Sequence, residues 1–85
     1  MLSKQLENSF TQSDKNMKPD PSTYNPSPDY LRALVDRSGL SQRKVAYRIG
    51  VSDRLLRYYL APRDSATFRV APYPVQFALE VLSDT

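Results

Sequence analysis

At 85 residues the chain has room for one domain at most, and it contains neither cysteine nor histidine. Those absences exclude disulfides, thiolate or imidazole catalysis and the usual zinc ligand sets, and they fit a reducing compartment. The net charge is only +3, but residues 1–28 carry three lysines against three acids, so the whole excess falls on the remainder.

No apolar run has the length of a membrane span or of a signal-peptide core. The expectation is therefore a soluble, cytoplasmic protein with no membrane partner. Residues 1–27 are rich in Ser, Asn, Gln, Lys, Asp and Pro, and Phe10, Met17 and Tyr24 are too scattered to form a buried stripe. They read as a flexible, disordered N-terminal tail, followed by a folding domain over 28–84. Pro19, Pro21, Pro26 and Pro28 favour extended backbone there. With roughly 55 residues left to fold, the core is thin, and a partner subunit is a natural source of added stability.

The first helix is predicted to begin at Ser27 or Pro28, with Asp29 at the positive end of its dipole and Leu31, Leu34 and Val35 as its apolar stripe. Gly39 closes it, and Leu40 packs beneath the turn that follows. Tyr30 reads as a partial core residue rather than a ligand contact.

Residues 41–60, SQRKVAYRIGVSDRLLRYYL, contain two short helical patterns hinged at Gly50. Ser41 is the expected N-cap of the first, whose apolar positions are Val45, Ala46 and Ile49. Gly50 supplies the positive φ of the corner, Val51 turns inward, and Ser52 caps the second helix. At about 100° per residue, Leu55, Leu56, Tyr59 and Leu60 fall on one side of that helix, with Asp53, Arg54, Arg57 and Tyr58 roughly opposite. From Ser41 to Arg63 there are six basic residues against Asp53 alone, a surplus that attracts polyanions. A helix of this kind fits the major groove of duplex DNA.

Residues 61–73 form a long connection, in which Phe68 and Val70 suggest a short extended piece covering the core; a wing lacks a second strand run to pair with. The last helix is predicted from Pro74, or just after, to Leu82 or Ser83. Val75, Ala78, Leu79 and Leu82 give one apolar face, and Phe77 and Val81 a second. One face packs inward and the other either meets a second copy of the chain or is covered by the 61–73 loop.

Gln42, Val45, Ala46, Ile49, Gly50, Val51 and Leu56 stand where the Cro and lambda-repressor class of helix-turn-helix proteins places its matching residues, seven positions in a run of fifteen. From Ser27 or Pro28 to Leu82 the chain also resembles the narrower group of anti-CRISPR-associated (Aca) regulators. The residues that carry this are Pro28 with Tyr30, Leu31 and Arg32; Ser41, Gln42 and Arg43; Ser52, Asp53 and Arg54; Arg57 to Leu60; Ala71, Pro72 and Tyr73; and the VQFALE run from Val75 to Glu80. The resemblance implies an all-α, four-helix DNA-binding domain acting as a homodimeric autorepressor on inverted repeats in the promoter of an anti-CRISPR operon. It also implies a basic pair opening the second helix and an arginine in the first turn of the third, here Arg43, Lys44 and Arg54. Lys44 stands where the doubly arginine version has its second guanidinium, and it offers a point charge in place of a flat fork.

The expected DNA contacts are Gln42, Arg43, Lys44, Ser52, Arg54, Arg57 and Tyr58. Arg54 is the candidate base reader, its alternatives being an ion pair with Asp53 or a phosphate clamp; Gln42 and its neighbouring amides suit a phosphate. Tyr73, Phe77 and Val81 are the expected dimer contacts. No catalytic residue, metal, cofactor or small-molecule ligand is expected, because Asp53 sits among arginines and the chain has no histidine, no cysteine, no phosphate-cradling glycine loop and no metal cluster. Two other readings use the same helices: an architectural or recombination accessory factor, and an antitoxin-like module whose basic face meets an acidic protein.

Overall fold

A computed structural model of the chain describes residues 18–84, in which four α-helices surround one core and no strand occurs among the described residues. They are α1 (Pro28–Ser38), α2 (Gln42–Ile49), α3 (Asp53–Leu60) and α4 (Tyr73–Ser83). α1 packs on α3 and α4, while α2 packs on α3 and on α4. The all-α, four-helix expectation is met.

The helix ends follow from local chemistry. Ser41 and Ser52 have extended backbone, and their hydroxyl oxygens accept from the amides of Lys44 (3.2 Å) and Leu55 (3.0 Å). Each capping bond satisfies one of the amides that a helix start leaves without a partner. Gly39 and Gly50 close α1 and α2 at φ 74° and 81°, a region where a Cβ would meet its own backbone. At Gly50 the amide donates to the Ala46 carbonyl (3.0 Å), and the Val51 amide shares that acceptor at 3.0 Å. Val51 is thereby turned toward the core, and Leu40 packs on it too.

Leu31, Leu34, Val35, Val45, Ala46, Leu56, Tyr59, Leu60, Ala71, Val75 and Leu79 form the core. Each fully buried leucine or valine contributes roughly 1.5–3 kcal/mol by leaving water. α3 meets its expectation: Leu56, Tyr59 and Leu60 are buried, and Leu55 is half-buried against them.

Four expectations are corrected. The flexible-tail reading of residues 1–27 lies outside the described residues as far as 17, but residues 20–25 are tied to α4 and to the residues just before it. A 3-10 turn, Pro21–Thr23, is capped by Asp20, whose carboxylate accepts from the Ser22 amide at 3.1 Å. Beyond it, the Tyr24 hydroxyl donates to the Ala71 carbonyl (2.5 Å), and the Asp20 amide donates to the Tyr73 hydroxyl (2.7 Å). Gln76 makes the strongest tie: its carboxamide donates to the Thr23 carbonyl (2.9 Å) and accepts from the Asn25 amide (2.7 Å). The prolines that forbid a helix here hold an extended strap instead.

That strap explains the second correction. The inward face of α4 is Val75, Gln76, Leu79 and Ser83, with Leu82 packed beside them, while Ala78 is only half-buried. The helix is turned toward the strap, because Gln76 can be fully buried (0% exposed) only where its amide finds backbone partners.

In the connection, the residue that fills the core is Ala71, whereas Val70 is 57% exposed and Phe68 half-buried. α4 itself begins at Tyr73, one residue ahead of the expected Pro74, and Pro74 lies in its first turn.

Candidate nucleic-acid interface

α2 and α3 meet at the Gly50 corner, and their amino ends and outer sides make one basic surface. α2 has no acid in its first turn, so the positive end of its dipole is reinforced by Arg43 and Lys44, both exposed. Arg54, in the first turn of α3, is exposed and has no hydrogen bond or ion pair among the described residues. The ion pair with Asp53 weighed for it does not form; Asp53 pairs with Arg57 instead, at 3.4 Å one turn along α3. That pair is exposed, and i,i+4 contacts of this kind contribute only about 0.3–0.5 kcal/mol. Arg57 is therefore loosely held.

Gln42, Arg54, Arg57 and Tyr58 line a single open hollow of about 580 Å3, together with Arg32, Leu60, Ala61 and Thr67. The geometry thus brings together four of the seven expected contact residues. Arg43 and Lys44 are exposed on the neighbouring turn of α2, outside the hollow's lining. Ser52 is exposed too, and although its oxygen accepts the Leu55 amide, its hydroxyl proton remains able to donate.

Three residues extend this surface beyond the expectation. Tyr47 is 82% exposed on α2, between Arg43 and Lys44 on the helical wheel. Arg32 reaches from α1 to the far end of α3: one guanidinium nitrogen donates to the Leu60 carbonyl (2.6 Å) while another meets the Asp29 carboxylate (2.6 Å). A cation there complements the negative end of the α3 dipole and fixes the helix against α1. Arg69 lies with its guanidinium 5.8 Å from the centre of the Tyr58 ring. The basic count and the helix pattern found the surface; only tertiary contacts could assign Arg32 and Arg69 to it.

None of the expected dimer residues lines that hollow. Phe77 and Val81 are half-buried on the outer side of α4. With Ala78 and Leu82 they border a mainly apolar hollow that reaches Arg48 and Ile49 at the end of α2. Tyr73 is also half-buried, but its ring stands edge-on to Tyr24 (6.1 Å between centres) and tilted against Phe77 (6.2 Å). Part of Tyr73 is thus engaged by the strap of its own chain.

Behind α4 lies a polar cluster. The Glu80 carboxylate accepts from the Tyr30 hydroxyl (2.5 Å) and from the Gln76 amide (3.0 Å). Burial, then the bond to Glu80 and its negative charge, push the Tyr30 hydroxyl up to about 12, against a smaller opposing pull from Arg37. Tyr30 therefore serves as a partial core residue with a polar anchor.

Among the described residues no group of three or more acids stands where it could hold a metal ion, and no helix is long and apolar enough to cross a membrane. Set against known proteins, the chain matches no family model and no curated protein.

Proposed function

We propose that this chain is a sequence-specific, duplex-DNA-binding transcriptional repressor that acts in the cytoplasm as a homodimer on inverted repeats. The observation that carries the reading is Arg54: an unpaired, exposed guanidinium in the first turn of a capped helix whose opposite side is locked into the core by Leu56, Tyr59 and Leu60. Such a group is free to donate two bonds to guanine O6 and N7, worth about 1–3 kcal/mol of discrimination against another base. Arg43, Lys44 and the first amides of α2 with Gln42 take phosphates. Arg57 and Tyr58 reach the sugar–phosphate backbone or a thymine methyl.

The resemblance to the anti-CRISPR-associated regulators supplies the finer part: an autorepressor of an anti-CRISPR operon. Two copies joined through Phe77 and Val81 read two half-sites about one helical turn, roughly 34 Å, apart.

The test is selection of bound duplexes from a random library. Palindromic winners are expected, and Arg54→Ala should relax their sequence preference while leaving binding to random duplex largely intact. Equal loss on selected and random DNA contradicts base reading by Arg54. Val81→Asp should give monomers in sedimentation and weaken binding to the palindrome; a monomer of unchanged affinity defeats the dimer.

A further inference from the structure

The connection between α3 and α4 is more than a cover for the core. Only Ala71 of it is buried; Arg63, Arg69 and Val70 are exposed. Its tip is tightly turned: the Ser65 amide donates to the Pro62 carbonyl (2.9 Å), the Phe68 amide to the Ser65 carbonyl (3.2 Å), and the Thr67 amide to the Ser65 hydroxyl (3.2 Å). The chain then returns to α3. The Arg69 amide donates to the Tyr58 carbonyl (3.1 Å), so backbone and side chain of Arg69 are both held at the last turn of α3. Thr67 and Ala61 line the same hollow as Gln42, Arg54 and Arg57.

We propose that this loop is a second DNA-contacting element, in which Arg69, held over the Tyr58 ring, grips the phosphate backbone beside the groove that α3 enters. The proposal rests on the duplex-binding reading given above and adds a contact outside the two helices. Two observations carry it. Arg69 is exposed with no ionic partner among the described residues, and it is held against Tyr58, which itself lines the hollow; Asp64 is the sole acid of the loop. An arginine whose guanidinium already rests over a ring and whose backbone is tied to the same residue also loses fewer conformations on meeting a phosphate than a free one does. A phosphate contact carries no sequence information. Arg69 therefore adds affinity to every duplex alike, whereas Arg54 adds choice among them.

The experiment titrates the full chain with its selected palindrome and with a random duplex of equal length, across a series of salt concentrations. Arg69→Ala should weaken both on the order of three- to tenfold and make the logarithmic salt slope shallower by about one unit per subunit contact. Tyr58→Phe keeps the ring, so whatever the lost hydroxyl contributes to either duplex, adding Arg69→Ala to it should still make the slope shallower by about one unit. Tyr58→Leu should lower it, and adding it to Arg69→Ala should cost less than the two single losses multiplied together. The loop assignment is overturned if wild type and Arg54→Ala behave as stated above while Arg69→Ala leaves affinity and slope untouched, or if its loss is confined to the palindrome. A wild-type chain that binds no duplex at all overturns the parent reading, and this one with it.

Discussion

Gln76 and Arg54 are both polar side chains on helices, and the molecule treats them in opposite ways. Gln76 is fully buried, and its carboxamide has a partner for each atom, in Thr23, Asn25 and Glu80. Arg54 is exposed and has none among the described residues. The strap and α4 form a region in which polar groups answer one another; indeed no buried side-chain nitrogen or oxygen among the described residues lacks a partner. On the α2–α3 surface the capping serines satisfy amides at the helix starts, while the side chains of Arg43, Lys44 and Arg54 have no partner among the described residues. Burial forces internal pairing because an unpaired buried group carries a desolvation cost of about 1–3 kcal/mol. Exposure imposes no such demand, so the side chains at the surface stay available to an outside ligand.

That contrast is open to direct attack. The largest effect is expected from Gln76→Leu, which strips partners from the Thr23 carbonyl and the Asn25 amide and should lower unfolding free energy in urea by roughly 2–4 kcal/mol. An unchanged midpoint would show the strap to be ornamental. A second test uses alkali. The Tyr30 hydroxyl ionises near 10 in an unfolded chain and near 12 in the folded one. Below pH 10 both forms keep the proton and the stability is whole. Between pH 10 and 12 the unfolded chain sheds it first, so stability falls as pH rises. Tyr30→Phe should flatten that part of the alkaline unfolding curve relative to wild type.

Smaller changes belong to the basic surface. Ser52→Ala removes the acceptor for the Leu55 amide and should cost about 1 kcal/mol. Arg54→Ala should alter stability by no more than about 0.5 kcal/mol, since nothing in the fold depends on that side chain. A thermal melt of Arg54→Ala displaced by several degrees would mean that the guanidinium supports the protein itself, and the contrast with Gln76 would vanish.

Legibility in the sequence followed the distance over which each contact acts. Ser41, Ser52, Gly39 and Gly50 announce helix ends because a cap or a left-handed corner is decided within three or four residues. The α3 pattern was equally plain, since its apolar positions repeat within eight residues. The strap was not, because Asn25 and Thr23 find Gln76 across 51 and 53 residues of chain. A glutamine inside VQFALE looks like a polar interruption until its partners are known. The wheel did contain a clue: Gln76 and Ser83 flank the Val75 and Leu79 stripe, so a helix turned by half a residue's width buries them and lifts Ala78 outward. In the connection, the alternation of Phe68 and Val70 pointed one position away from the residue that reaches the core, Ala71. Extended segments tolerate such a slip because nothing but side-chain size fixes which neighbour faces in.

At the site, the basic residues of α2 and α3 were found by charge and periodicity alone. Arg69 and Arg32 were not, since their place depends on a loop that returns to α3 and on a reach from α1 across to Leu60.

The bond from Arg32 to the Leu60 carbonyl has a consequence for how the protein can change. With its trailing end pinned to α1 and its inner side filled by Leu56 and Tyr59, α3 keeps its seat whatever residues occupy its outward positions. Positions 54 and 57 can therefore be rewritten without disturbing the chassis, so that, on the proposed duplex-reading function, descendants of this chain are free to acquire new preferences by exchanging two or three surface side chains.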